Sequence, residues 1–208
     1  MMSEYFKTNL ICKEEIGIGI INTSAIQEKK TLVVNLLSGP GVGKSTCMAG
    51  VFSELKLRGV NCEQAPEFAK EKVWEGSWDV LSNQIYVFGK QLHAIHRLIG
   101  KVDVIVTDSP ILLSIIYGKN EGQKFRDLVL EVHNRFDNFN VFLRRLKKYN
   151  PSGRLQTEDE AKEKDDQIRA LLNQNNLKYL ELMSGRETIL TIADYVMEKI
   201  GNQKGQFV

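Results

Sequence analysis

Residues 32–46 constrain the fold more than any other segment, because an apolar run there leads into a glycine-rich turn ending in Gly-Lys-Ser-Thr. Gly39, Gly41 and Gly43 lack a Cβ, so the backbone can adopt positive φ and direct several N–H groups toward one anion. A helical pattern follows, and the N-terminus of that helix would direct its positive dipole end at the same point. The segment therefore predicts a phosphate-binding loop between a strand and a helix.

This loop fits the pattern G-x-x-x-x-G-K-[ST] except at its first position, where Ser38 replaces glycine. We interpret the change as tolerated, since the later glycines supply the unusual dihedral angles. Lys44 would contact the β- and γ-phosphates of a bound nucleotide, and the Ser45 hydroxyl would bind Mg²⁺. A purely structural glycine turn is the alternative. The predicted nucleotide-binding residues are Gly39, Gly41, Val42, Gly43, Lys44, Ser45 and Thr46.

Strand and helix patterns alternate along the rest of the chain. Apolar runs predict strands near residues 30–37, 60–64, 102–107, 140–143 and 177–182, and one long helix is predicted over 78–98. This alternation predicts an α/β P-loop fold, a doubly wound parallel sheet of about five strands with helices on both faces. Residues 1–29 do not fit it and are assigned to an N-terminal extension, an edge hairpin being one option. Residues 30–208 are assigned to one domain.

Two carboxylates follow predicted strands. Asp108 comes directly after residues 102–107, where an acidic side chain can bind Mg²⁺; a helix N-cap is the alternative. Glu67 lies just past residues 60–64, where it could act as a general base or orient an acceptor hydroxyl, or could simply be a solvated glutamate in a first helical turn. Because ligands bind at the carboxyl ends of parallel strands, we expect both to converge on the phosphate loop.

A basic segment, residues 144–156, is predicted to be a mobile lid. Five basic residues lie within 144–154 beside Pro151 and Gly153. Arg144, Arg145 and Arg154 would stabilise a transferred phosphoryl group when the lid closes; an ordinary charged loop is the alternative. The helix after the lid is predicted to begin with a capping box formed by Thr157 and Glu160.

The predicted helix at 78–98 and the residues before it are rich in aromatic side chains. Trp74, Trp78, Tyr86 and Phe88 are expected to lie mostly in the core, as aromatics at helical spacing usually do. The amide of Gln91 could read the edge of a base or sugar. Glu67 and Gln91 are therefore the predicted acceptor-binding residues.

Composition limits the classes of partner. With 28 basic and 26 acidic residues, the net charge of +2 gives no global attraction to nucleic acid or to an anionic membrane. Three cysteines without metal-type spacing indicate a reducing compartment, and no segment approaches the ~20 apolar residues of a membrane span. We expect a cytoplasmic protein with a small-molecule acceptor. A nucleic acid acceptor stays open, because the lid is locally basic.

The order of these motifs resembles the nucleoside and nucleotide kinases of the P-loop kinase group. Ser38–Thr46 resembles their phosphate loop, Thr107-Asp-Ser-Pro110 their Walker B segment, and residues 144–154 their lid. Glu67-Phe-Ala-Lys-Glu71, followed by a glutamine-containing helix, is similar to the nicotinamide riboside kinase branch and its phage relatives. The resemblance covers about residues 31–200.

This resemblance implies transfer of the γ-phosphate of ATP, with Mg²⁺, to a hydroxyl or phosphate of a nucleoside- or nucleotide-type acceptor. The implied metal ligands are Ser45 and Asp108. The predicted catalytic residues are Lys44, Glu67, Asp108, Arg144 and Arg154.

Two departures leave the acceptor open. Deoxynucleoside kinases typically have an Asp-Arg-Ser or Glu-Arg-Ser triplet, but here no arginine follows Asp108. The Asp-Gly-Phe-Pro-Arg type of segment found in the monophosphate kinases is also absent from the sequence. Two alternatives therefore remain: a kinase acting on a hydroxyl of a polynucleotide, at a modified base or a 5′ end, and a nucleotide-binding regulatory module with low turnover.

Overall fold

The structure is a computed structural model of the 208-residue chain and describes residues 30–146 and 157–205. The predicted N-terminal extension, residues 1–29, lies outside the described residues, as do residues 147–156 of the predicted lid.

Strands and helices alternate along the described residues, as the sequence predicts. The strands are β1 (Leu32–Leu37), β2 (Cys62–Ala65), β3 (Val104–Thr107), β4 (Asp137–Arg144) and β5 (Tyr179–Met183). The helices are α1 (Lys44–Leu57), α2 (Phe68–Glu75), α3 (Trp78–Ser82), α4 (Gln84–His96), α5 (Leu113–Tyr117), α6 (Gly122–His133), α7 (Glu158–Gln174) and α8 (Arg186–Gly205). A short 3₁₀ turn spans Lys119–Glu121.

The strands form one parallel sheet in the order β2-β3-β1-β4-β5. Strand β1 lies at the centre, with Leu32 opposite Val104 of β3 on one side and Asp137 of β4 on the other. Since all strands run the same way, the segments that follow β1, β2 and β3 leave the sheet at one edge. The predicted α/β P-loop fold is confirmed.

Both faces of the sheet are covered by apolar side chains. Leu32, Val34 and Leu36 of β1 pack with residues of α1 and α8, whereas Val33 and Leu37 face the layer that includes α4 to α7. A strand buried on both faces needs an apolar run rather than alternation, which explains the sequence of β1. Within residues 30–146 and 157–205, no helix is long and apolar enough to span a bilayer.

The single long helix predicted over residues 78–98 is wrong. The chain forms α3 and α4 there, and the Asn83 side chain between them accepts a hydrogen bond from the Tyr86 backbone N–H at 3.0 Å, which caps α4. Periodicity alone hides this break, because Leu81 and Phe88 keep their helical spacing across Asn83.

The expected burial of the aromatic side chains is also wrong for three of the four. Trp74 is 72%, Trp78 50% and Tyr86 44% exposed, while Phe88 is buried. Helices α2 and α3 pack against each other and against α4. Among the described residues β2 is the edge strand on this side of the sheet, and the side chains of Trp74, Trp78 and Tyr86 there are exposed.

Candidate functional site

The phosphate loop uses its glycines in two different ways. Gly41 and Gly43 have φ of 85° and 103°, the positive values that the sequence predicts. Gly39 has no positive φ, so the predicted reason for that glycine is wrong. A Cβ on Gly39 would lie 2.4 Å from the carbonyl oxygen of Ala161 on α7, and glycine is required there because the helix approaches the loop closely.

Lys44 is the first residue of α1 and is folded back over the loop. Its Nζ donates hydrogen bonds to the carbonyl oxygens of Ser38 at 2.9 Å and Gly39 at 3.0 Å. Burial lowers the pKa of Lys44, and the carboxylates of Glu67 and Asp108 act against that shift. The ammonium group therefore lies at the base of the loop, within electrostatic range of both acids.

The beginning of α1 is open to an anion. Gly43 is the N-cap residue and provides no side-chain cap, so the first N–H groups of α1 have no side-chain acceptor there. Ser45 is half-buried and Thr46 is exposed in this first turn, while Val42 is buried beneath it. These are the features of an anion site at a helix N-terminus.

Asp108 follows β3 and is almost completely buried, and its Oδ1 has no hydrogen-bond partner among the described residues. The alternative of a helix cap does not fit, because α5 begins at Leu113 with Leu112 as its N-cap residue. A buried carboxylate oxygen without a donor is costly for the fold, so it indicates a group that the site is built to receive.

Glu67 lies past the end of β2, at the N-cap position of α2, and its side chain makes no capping hydrogen bond. It is half-buried rather than fully solvated. Burial raises the pKa of Glu67, Lys44 lowers it and Asp108 raises it. The structure thus brings together Lys44, Glu67 and Asp108 from the ends of three strands, and their catalytic roles stay predictions.

Gln91 is buried beside these acids, with its amide engaged inside the protein. Its Oε1 accepts from the Phe68 backbone N–H at 3.3 Å, and its Nε2 donates to the Ala65 carbonyl at 3.5 Å and to Thr107 Oγ1 at 3.4 Å. These contacts tie the ends of β2 and β3 to the start of α2. The predicted contact between Gln91 and an acceptor stays a prediction.

The predicted lid arginines lie in different places. Arg144 is exposed, with its Nε 3.5 Å from Glu181 on β5, and Arg154 lies outside the described residues. Their predicted catalytic roles stay predictions. Arg145, by contrast, contacts the phosphate loop, because its Nη1 donates to the Pro40 carbonyl at 2.8 Å.

Sequence reasoning missed Asp165 on α7. This buried carboxylate accepts hydrogen bonds from the Gly39 backbone N–H at 2.5 Å and from Arg145 Nε at 2.7 Å. A signal was present in the sequence: Asp165 lies four residues after Ala161 and three before Ile168, on the buried face of α7. A carboxylate within an apolar stripe requires a partner elsewhere in the fold.

Comparison of the sequence with known protein families gives a match to the AAA domain family over residues 33–188, well over half of the chain. The chain belongs to the AAA domain family. No curated protein matches it in sequence. The family match covers β1 from its second residue, the phosphate loop, and strands β2 to β5.

Solved structures share the fold. The NadR protein in complex with NR aligns with a TM-score of 0.58 at 14% identity, over 81% of this chain and 50% of the NadR chain. The NadR protein in complex with NAD and AMP-PNP gives 0.62 and 14%, over 82% and 50%. This chain spans about half the length of the NadR chain. Together with the family match, this confirms the predicted resemblance to the P-loop kinase group at the level of fold.

Proposed function

We propose that the protein is an ATP-dependent phosphotransferase that moves the γ-phosphate, with Mg²⁺, to a hydroxyl or phosphate of a nucleoside- or nucleotide-type acceptor. One arrangement carries this proposal: Lys44, Asp108 and Glu67 follow the neighbouring parallel strands β1, β3 and β2 at one edge of the sheet. Among the described residues, the buried Oδ1 of Asp108 has no hydrogen-bond partner there. A nucleotide-binding module needs only the loop and the Walker B acid. Glu67 is a second carboxylate beside Asp108, just past the next strand outward, and it would accept the proton of an acceptor hydroxyl.

Charge on the transferred group would be stabilised by the loop and α1. Phosphoryl transfer passes through a loose transition state, so positioning and electrostatics contribute most of the rate. Lys44 would exchange its bonds to the Ser38 and Gly39 carbonyls for bonds to phosphate oxygens, and the open N-terminus of α1 would bind the same oxygens.

The residues present fit Mg²⁺. The unpartnered, buried Oδ1 of Asp108 is a hard oxygen ligand, and the Ser45 hydroxyl is in the first turn of α1. Mg²⁺ is usually held by one or two protein oxygens together with phosphates and water, and this pair supplies the protein share. When bound, the ion would neutralise negative charge on the phosphates.

Glu67 would orient the acceptor hydroxyl and accept its proton. The pKa of Glu67 is raised mainly by burial, which brings its proton affinity closer to neutral pH, while Lys44 keeps it ionisable. The acceptor would then approach from the β2 side of the loop, between Glu67 and the phosphates.

The test is incubation of the protein with labelled ATP and Mg²⁺ in the presence of nucleosides, nucleoside monophosphates, nicotinamide riboside or modified DNA. We expect label on one of the small molecules, and a loss of at least about a hundredfold in Lys44→Ala. Lys101→Ala is the matched control, because Lys101 is exposed and precedes β3 at the opposite edge of the sheet. Hydrolysis of ATP without transfer to any acceptor would refute the proposal, and label on DNA alone would reassign the acceptor.

Glu67→Gln tests the role of the second carboxylate separately. Transfer should fall while the affinity for ATP stays the same, since the acid acts on the acceptor. Glu63→Gln on β2 is the control, because Glu63 lies within the strand and pairs with Lys56 at 3.5 Å on the surface. Equal activity of Glu67→Gln and Glu63→Gln would remove Glu67 from the mechanism.

A further inference from the structure

Arg145 and Asp165 form a compact cluster against the phosphate loop, here called the loop clamp. Asp165 Oδ1 accepts from the Gly39 N–H at 2.5 Å and Oδ2 accepts from Arg145 Nε at 2.7 Å. Arg145 Nη1 donates to the Pro40 carbonyl at 2.8 Å, and Nη2 donates to the Ala161 carbonyl at 3.0 Å. The two side chains therefore fix both a donor and an acceptor of the loop backbone.

Stability alone is a poor explanation for such a pair. The side chains of Arg145 and Asp165 are only 16% and 10% exposed. Removing two charges from water costs about as much as their attraction returns, so an apolar pair of similar volume is often equally stabilising. The ion pair provides a fixed hydrogen-bond geometry that an apolar pair lacks, because the planar guanidinium holds three acceptors at fixed angles.

The clamp and Lys44 hold the same short segment from two sides. Lys44 Nζ bonds to the carbonyls of Ser38 and Gly39, while the clamp bonds to the N–H of Gly39 and the carbonyl of Pro40. Both clamp residues also act on the charge of Lys44, Asp165 favouring the ammonium form and Arg145 opposing it. The backbone of residues 38–40 is therefore held by the clamp independently of Lys44.

We propose that Arg145 and Asp165 are a positioning pair that preorganises the phosphate loop for ATP. The proposal rests on the proposed function, since it assigns the loop to a nucleotide phosphate. Holding the loop in the bound shape before ATP arrives avoids an ordering cost at the moment of binding. Neither residue needs to touch the nucleotide for this effect.

The decisive variant is the double substitution Arg145→Met/Asp165→Leu, which replaces the buried charges by apolar side chains. Exchange of the ion pair itself should cost little. The Gly39 N–H and the Pro40 carbonyl lose their side-chain partners, however, so we expect a lower melting temperature in a protein that still folds. Binding of Mg²⁺-ATP, measured by calorimetry without any acceptor, should weaken about tenfold, as expected for the loss of charge-assisted hydrogen bonds. In turnover assays the KM for ATP should rise while the KM for the acceptor stays within about twofold.

A second measurement is independent of nucleotide. The Gly39 amide is bonded to Asp165 in the wild type, so its hydrogen exchange should be slow, and it should become fast in the double variant. Arg58→Met/Asp194→Leu is the matched control, because that ion pair lies at the C-terminal end of α1, far from the loop. It should change neither ATP affinity nor Gly39 exchange.

Each outcome decides the question. Wild-type ATP affinity with a protected Gly39 amide in the double variant would overturn the proposal, as would a loss of stability with unchanged affinity. If the double variant does not fold, Arg145→Lys serves instead. Lysine keeps the positive charge at position 145 but cannot hold the three acceptors at fixed angles, so this variant should still weaken ATP binding. Wild-type affinity for ATP in Arg145→Lys would refute the proposed positioning role. Failure of the proposed function would appear differently, as ATP binding that depends on the clamp without transfer to any acceptor.

Discussion

Substitution of Gly39 by alanine tests whether the backbone of α7 lies in close contact with the phosphate loop. The added Cβ would lie 2.4 Å from the Ala161 carbonyl oxygen and 3.0 Å from Arg145 Nη2 and Asp165 Oδ1. The nearest atom is helix backbone and cannot rotate away, so α7 or the loop must move. Gly39 has no positive φ, so no dihedral penalty is added to this steric one.

The cost can be estimated from two contributions. Forcing a methyl group into a packed site costs about 1–3 kcal/mol. The shift also lengthens the 2.5 Å hydrogen bond from Gly39 to Asp165, and weakening a buried bond to a charged group costs about 1–2 kcal/mol more. The free energy of unfolding should therefore fall by about 2–5 kcal/mol, at or below the lower end of the ~5–15 kcal/mol by which domains are stable, so we expect the variant to fold.

Urea denaturation of the two proteins measures this difference. Gly89→Ala is the matched control, because Gly89 lies exposed within α4 and an added Cβ there meets no atom within 4 Å. Alanine in a helix interior should stabilise by about 0.5–1 kcal/mol, so the two glycines should respond with opposite signs. A Gly39→Ala protein as stable as the wild type would refute the close approach of α7, and with it the geometry of the loop clamp.

Three further outcomes follow from buried or capping groups. Burial lowers the pKa of His133 to about 4, below its unfolded value of 6.5, so stability should be complete above pH 6.5 and decline by about 3 kcal/mol as pH falls toward 4. Urea denaturation at several pH values across that range measures this decline. His133→Gln should remove most of the pH dependence of the free energy of unfolding, and an undiminished dependence would exclude His133 as its source. Thr157→Ala should cost about 1 kcal/mol in urea denaturation, since Thr157 and Glu160 form a reciprocal capping box, and no loss would show that the box is unimportant. Burial raises the pKa of Cys47 to about 12, so alkylation at pH 8 followed by mass spectrometry should modify it only in urea; labelling of the native protein would contradict its burial.

The local parts of the fold could be predicted from the sequence because their causes are local. The apolar run of β1, the positive φ at Gly41 and Gly43, and the capping box of α7 each follow from a few neighbouring residues. The break at Asn83 is also local, and asparagine before a helical run is a known N-cap signal. Apolar periodicity continues across Asn83, so a pattern of apolar residues alone predicts one uninterrupted helix.

The exposed tryptophans could not be predicted in the same way. Trp74 and Trp78 carry helical spacing, and whether that face is covered depends on which strand ends the sheet. Strand order is a property of the whole chain, and in the part of it that the structure describes β2 lies at the edge of the sheet, beside α2 and α3. Likewise, Asp165 lies 126 residues from Gly39, and no local pattern joins them.

Strand order also divides the surroundings of the phosphate loop. With β1 at the centre, β3 and then β2 lie on one side, and the acids Asp108 and Glu67 follow from their ends. On the other side β4 leads into Arg145, which meets Asp165 of α7 against the loop backbone. One flank thus offers carboxylates that can receive a metal ion and an acceptor, while the other holds the loop in shape. Variants on the two flanks should therefore have different effects. Glu67→Gln should lower transfer to the acceptor, whereas substitutions at Arg145 should weaken the binding of ATP.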